Sequence, residues 1–217
     1  MSLSPSALGL AALLFGLASI AARYGLPRRP WLFCVLKPIT TSLILGVAFI
    51  PASKDWHLYG LAIVAGLLFS IFGDILLVLP NDHFLAGLGS FLLAHVSYIV
   101  AFAGTTRYAG YPWIAIPLVL FGGFTLAYLW PAVPSRLRWP VAAYVLVIVT
   151  MASYAVYRAV TIPVVGAMLA AAGAVLFLGS DAVLAIERFR RPFRAAQAIV
   201  LVTYFAGQLL IALSAAA

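Results

Sequence analysis

Two aspartates stand inside apolar runs long enough to be membrane helices. Asp74 lies in Ser70-Ile71-Phe72-Gly73-Asp74-Ile75-Leu76-Leu77 and Asp181 in Leu176-Phe177-Leu178-Gly179-Ser180-Asp181-Ala182-Val183-Leu184. A carboxylate is costly inside a bilayer, so a residue of this kind is read first as a functional site. The chemistry open to such a pair is acid–base catalysis, in which one carboxylic acid donates a proton while a second carboxylate steadies positive charge or orients water. The competing reading is structural: each acid pairs with a basic residue and holds the bundle together.

Other polar residues fall at helical spacings that turn them toward the same interior. Ser70 and Gly66 share a face with Asp74, and Ser180 and Gly173 share one with Asp181; small residues let helices approach closely, so these faces point inward. Phe84, Gly87, Phe91, His95 and Tyr98 form one stripe that presents an imidazole and a phenol, and Tyr204 and Gln208 stand one turn apart. These polar groups need partners in hydrocarbon, whether as substrate ligands or as interhelical ties. His57 and His83 fall at opposite helix ends and no HxxxH or HExxH spacing occurs, so no metal site is expected. GxSxG, phosphate-loop and dinucleotide motifs are missing too, which leaves carboxylate chemistry without a cofactor.

The elements that must position these groups are set by composition. The 217 residues are 65% hydrophobic and 8% charged, as in a polytopic membrane protein. Apolar runs between breakers and charges give eight spans, about 5–23, 31–50, 57–80, 83–104, 111–131, 138–160, 162–186 and 194–215. The connections are too short for a second domain, so residues 1–217 form one all-α transmembrane bundle. The first run lacks a basic leader region and is expected to be a spanning helix, not a cleaved signal. Cys34 is the single cysteine, which rules out an intrachain disulfide and fits a packing role.

The net charge of +8 punctuates the apolar runs, which suits topology and phospholipid contact, not nucleic-acid binding. Arg23, Arg28, Arg29, Arg136, Arg138, Arg188, Arg190, Arg191 and Arg194 fall in odd-numbered loops, against Lys54, Arg107 and Arg158 in even-numbered ones. Basic loops stay in the cytoplasm, so both termini are expected on the non-cytoplasmic side. The tryptophans Trp31, Trp56, Trp113, Trp130 and Trp139 lie near span ends, as interface anchors do.

Counting at ~1.5 Å per residue puts Lys37, Asp74 and Asp181 at one level, roughly 9–10 Å from the odd-loop end, with His95 deeper at about 18 Å. Both carboxylates are therefore expected to line one cavity open to the cytoplasm, with Lys37 on its wall. Asp74 and Asp181 are 107 residues apart on spans that run the same way, which suggests two parallel four-helix halves.

In order and spacing, Lys37-Pro38, Ser70-x-x-Gly73-Asp74, Phe84-x-x-Gly87-x-x-x-Phe91-x-x-x-His95-x-x-Tyr98, Gly173-Ala174-x-Leu176-Phe177-x-x-Ser180-Asp181 and Tyr204-x-x-x-Gln208 resemble the YhhN-like membrane proteins, whose characterised members are lysoplasmalogenases. The departure is Gly179, where a bulkier apolar residue is expected. The resemblance implies an eight-helix membrane hydrolase that cleaves the vinyl ether of lysoplasmalogens to a fatty aldehyde and a glycerophospho-alcohol. Asp74, Asp181 and His95 are then the catalytic candidates. Lys37, Ser70, Tyr98, Ser180, Tyr204 and Gln208 are the candidates for binding a lysophospholipid substrate, with Arg188 or Arg194 as further phosphate contacts. Either aspartate could be the acid. The expected location is a bacterial inner membrane among membrane lipids. The alternative is a small proton-coupled or lipid transporter that uses the same acids as relays or ligands.

Overall fold

A computed structural model describes residues 4–25, 30–53, 57–80, 82–104 and 112–216. The described residues form eight α-helices and no strand: α1 Pro5–Gly25, α2 Pro30–Ala52, α3 Leu58–Val78, α4 Phe84–Gly104, α5 Ile116–Leu129, α6 Ser135–Thr161, α7 Val165–Phe189 and α8 Ala196–Leu213. Seven are long and apolar enough to cross a membrane. The expected fifth span is instead a composite, in which the 3₁₀ turn Pro112–Ala115 leads into the 14 residues of α5. Pro117 in the first turn of α5 has no N–H to extend the helix backward. The turn adds about 8 Å to the roughly 21 Å of helix, so together they nearly match a ~30 Å hydrocarbon core.

Contacts between helix ends show that the chain reverses at every connection. At one end, Tyr24 donates to the carbonyl of Arg194, Arg188 pairs with Asp82, and Arg190 donates to the carbonyl of Tyr128, which brings the first, seventh, third and fifth connections together. At the other end Tyr59 meets Ser214, and Arg158 lies over the Tyr59 ring. The basic residues Arg23, Arg136, Arg138, Arg188, Arg190, Arg191 and Arg194 thus gather at the odd-loop end. Arg28, Arg29, Lys54, Trp56 and Arg107 lie outside the described residues.

Two helix pairs pack most closely, α3 on α4 and α7 on α8. In the first, a Cβ at Gly66 would stand 2.2 Å from the Tyr98 ring. In the second, a Cβ at Gly173 would stand 2.6 Å from the carbonyl of Gly207. Gly173 follows Gly66 by the 107 residues that also separate the aspartates. The neighbours correspond as well: α2 packs on α3 as α6 packs on α7, and α4 on α6 as α8 on α2. The two halves share one plan of helix packing, with Asp74 and Asp181 at corresponding positions. The outer pair breaks the pattern, since α1 packs along α2 far more fully than α5 along α6.

Candidate active site

Asp74 has no exposed surface, and its side chain is met from two other helices. Lys37 and Thr41 stand one turn apart on α2 and therefore reach the same point. Thr41 Oγ1 donates to Asp74 Oδ2 at 2.6 Å, and Tyr204 of α8 donates to the same oxygen at 2.9 Å. Lys37 Nζ lies 2.9 Å from Oδ1. That contact falls outside hydrogen-bond geometry, so it is an ion pair and not a directed bond. The ammonium also lies 5.3 Å from the centre of the Tyr204 ring, where the ring face attracts it. A cation and two hydroxyl donors thus converge on one carboxylate.

One turn deeper, a second polar layer ties α3, α4 and α8. Tyr98 donates to Gln208 Oε1 at 2.7 Å, Gln208 Nε2 donates to Ser70 Oγ at 2.8 Å, and Ser70 donates to the Gly66 carbonyl at 2.9 Å. All three side chains are fully buried and engaged with one another. Ser180 Oγ donates to the Val200 carbonyl at 3.0 Å and so ties α7 to α8. Of the expected substrate contacts, Ser70, Tyr98, Ser180, Tyr204 and Gln208 border neither cavity described below, whereas Lys37 does.

Asp181 is furnished differently. Its Oδ2 accepts a short hydrogen bond from Tyr144 of α6 and lies 3.5 Å from His95 Nε2. His95 Nε2 is also 2.9 Å from the Tyr144 hydroxyl. Tyr144 has one hydroxyl proton; while Asp181 accepts it, the other bond runs from His95 N–H to the phenol oxygen. His95 Nδ1 is buried without a partner among the described residues. Among the described residues, no lysine or arginine stands beside Asp181 as Lys37 stands beside Asp74. Tyr144 follows Lys37 by 107 residues, so the two copies of the site hold an ammonium and a phenol at corresponding positions.

His95 was expected well below the level of the acids, yet it touches Asp181. α7 continues to Phe189, beyond the expected boundary at 186, which moves Asp181 farther from its helix end. The shared-cavity expectation is also corrected. Phe91, Phe177 and Tyr204 fill the centre of the bundle with ring centres 5.3–6.1 Å apart, and His95 packs on Phe177 at 4.7 Å. Counting along an axis fixes level but not azimuth, and these rings occupy the space between the two acids.

Two cavities flank this aromatic cluster. A polar one of about 520 Å³ is bordered by Lys37, Asp82, His83, Glu187, Arg188 and Gln197, which places it at the odd-loop end. An apolar one of about 70 Å³ lies among α3, α4, α5, α6 and α7, with Asp181 and Tyr144 as its polar groups beside Thr125. Leu77, Phe84 and Leu184 border both, so the cavities adjoin. Asp74 lies behind Lys37 and borders neither. Arg188 Nη2 makes paired contacts with Asp82 at 2.6 and 2.7 Å across the polar cavity. Gly179, the departure from the expected motif, faces open space, so its missing side chain leaves no hole. Among the described residues, no three of His, Cys, Asp or Glu converge as metal ligands.

Residues 32–215 match the model of the YhhN family. The chain is 32% identical over 89% of its length to the uncharacterized membrane protein YhhN of Escherichia coli O6:H1, covering 90% of that protein. It is 33% identical to bovine lysoplasmalogenase TMEM86A over 70% of the chain and 64% of the relative. To human lysoplasmalogenase TMEM86B it is 28% identical over 85% of the chain and 76% of the relative. No solved structure matches.

Proposed function

Because the chain belongs to the YhhN family of membrane proteins, we propose that it is a membrane hydrolase that cleaves the vinyl ether of lysoplasmalogen-type lysophospholipids. The single observation that carries this reading is the placement of Asp181. It is a carboxyl group in contact with Tyr144 and His95, at the border of an apolar cavity that adjoins a polar cavity floored by Lys37. An amphiphile with an anionic head and one chain fits that pair of spaces, with its ether linkage where they meet.

The chemistry follows from the substrate. A vinyl ether is an enol ether, and transfer of a proton from a carboxylic acid to its β-carbon leaves an oxocarbenium ion. Asp181 supplies that proton and its carboxylate then faces the cation. Water adds to the former α-carbon and returns a proton to Asp181. The hemiacetal next moves its hydroxyl proton to the ether oxygen, the C–O bond breaks, and aldehyde and alcohol leave; one water is consumed in all. The hydrogen-bond chain from His95 through Tyr144 to Asp181 can run in either direction, because the phenol both donates and accepts. It can hand a proton to the spent carboxylate or hold one while water attacks.

Asp74 takes the other half of the work in this reading. It holds Lys37 in place at the floor of the polar cavity, where the ammonium and Arg188 meet the lipid phosphate. Ser70, Tyr98 and Gln208 support α3 and α8 behind it. The Lys and Arg bias supports an orientation with this end on the cytoplasmic side, in our reading of a bacterial inner membrane, and both termini on the opposite side.

The test is turnover by purified protein in lipid nanodiscs given 1-alkenyl lysophosphoethanolamine. Stoichiometric release of fatty aldehyde and glycerophosphoethanolamine is expected. Gradient-driven uptake of intact substrate into proteoliposomes, without aldehyde, would support a transporter instead.

A further inference from the structure

The apolar cavity has walls on five helices, α3 to α7, but the backbones of two of them, α4 and α5, do not come together. Among the described residues, α5 packs against α6 and α7 and not against α4. The cavity nevertheless takes Phe84, Leu88 and Phe91 from α4 and Phe121, Thr125 and Leu129 from α5. It therefore bridges an unpacked seam. The outward side of that seam is apolar: Leu85 and Leu93 of α4 are 54% and 47% exposed, and Phe121 and Phe124 of α5 are 44% and 75% exposed. In a membrane, such surface faces acyl chains. Thr125 adds no unmet polar group to this lining, because its hydroxyl donates to the Phe121 carbonyl at 2.8 Å.

We propose that the α4–α5 seam is the lateral portal through which the single hydrocarbon chain of a lysophospholipid enters from the bilayer, and that the apolar cavity holds the part of the chain next to the ether. This inference rests on the proposed function for the identity of the head group and deepens it by placing the chain. The occupant is specified by both ends of the space. Its inner end touches Asp181 and Tyr144, and across Leu77, Phe84 and Leu184 it adjoins the cavity of Lys37 and Arg188. A free hydrocarbon would leave those cations unused, and a two-chain phospholipid would need a second slot beside the first. A volume of about 70 Å³ holds only a few methylenes, so the rest of the chain extends through the seam and stays in lipid. The short composite fifth span suits this position, since among the described residues the backbone of α5 lies close to α6 and α7 and not to α4.

The experiment uses full-length protein in nanodiscs and a lysophospholipid whose alkyl ether cannot be hydrolysed, with a photoreactive diazirine in the proximal third of its chain. After illumination, mass spectrometry should find adducts on Leu88, Phe121 or Thr125, and excess unlabelled alkyl-ether lysophospholipid should suppress them several-fold. Thr125→Trp, which fills the seam, should reduce these adducts at least about fivefold. Thr125→Ala is the control for folding and should retain them. Adducts confined to lipid-facing residues elsewhere, such as Leu13 and Leu17 of α1, or seam adducts that the competitor does not suppress, would overturn the portal. The readout is independent of turnover. Seam labelling without aldehyde release would retain the portal and reject the hydrolase, whereas aldehyde release with labelling only elsewhere would do the reverse.

Discussion

The Lys37 ammonium and the Tyr144 hydroxyl, 107 residues apart, serve Asp74 and Asp181 from corresponding places in the two halves of the bundle. The plan is the same and the chemistry is not. Asp74 faces a fixed positive charge within the protein, and Asp181 faces a phenol that can pass a proton. In the proposed function this difference gives the two carboxylates different tasks, and each task has its own mutational signature.

Breaking the Lys37–Asp74 pair from either side leaves a buried charge alone, which costs about 3–5 kcal/mol. Lys37→Met and Asp74→Asn should each lower the melting temperature in detergent and raise KM for a phosphate-bearing lipid. The double variant should be more stable than the sum of the singles predicts, because neither charge is then stranded. Strict additivity in a double-mutant cycle would mean that the two groups are not coupled.

Tyr144→Phe keeps the ring against His95 and removes the hydroxyl that links imidazole to carboxylate. Turnover should fall about 10²-fold, the usual scale of a lost acid–base group, with KM little changed. His95→Gln should cost a similar factor, and the double variant little more, since either change already cuts the chain. Multiplicative losses would place His95 and Tyr144 in separate roles.

Arg188 is held by Asp82 at the polar cavity, in competition with any phosphate that enters it. Asp82→Asn should free the guanidinium and lower KM for lysophosphoethanolamine, while Arg188→Gln should raise it. Steady-state kinetics on both variants, with the uncharged 1-alkenyl glycerol as control substrate, checks this. Equal shifts for the charged and uncharged substrates would remove Arg188 from phosphate binding.

Gly173 and Gly179 provide a packing test on one helix. A methyl at Gly173 meets the backbone of Gly207, which cannot swing away, whereas one at Gly179 meets nothing. Gly173→Ala should destabilise the bundle by about 1–3 kcal/mol, and Gly179→Ala should be near neutral by thermal melting in detergent.

Which parts of this were legible in the sequence follows from what a helix pattern records. Spans, turns and inward faces are periodic properties, so the eight helices and the inward positions of Asp74, Asp181, His95, Tyr98 and Gln208 could be read directly. The spacing of Lys37 also gave its depth beside Asp74. Tyr144 was missed because it sits in an ordinary apolar run, where a phenol raises no alarm, and only its 107-residue offset from Lys37 marks it; Thr41 was missed although it stands one turn from Lys37, because Thr40 and Ser42 beside it offer equivalent hydroxyls. The aromatic cluster between the acids could not be read either, since Phe91 and Phe177 are common core residues whose azimuths depend on how three helices cross. The weak packing of α5 is likewise a tertiary property, although the Pro112 and Pro117 breaks hint at a shortened helix.

The most direct test of the central claim is the turnover of Asp181→Asn. The amide keeps the size of the side chain and can still meet Tyr144, but it can neither donate the carboxylic proton nor take one from water. With folding confirmed by an unchanged elution profile and melting temperature, kcat for 1-alkenyl lysophosphoethanolamine should fall by at least about 10²-fold, while the alkyl-ether lysophospholipid should still bind with wild-type affinity. Wild-type turnover in a folded Asp181→Asn protein would contradict the assignment and remove Asp181 from the chemistry.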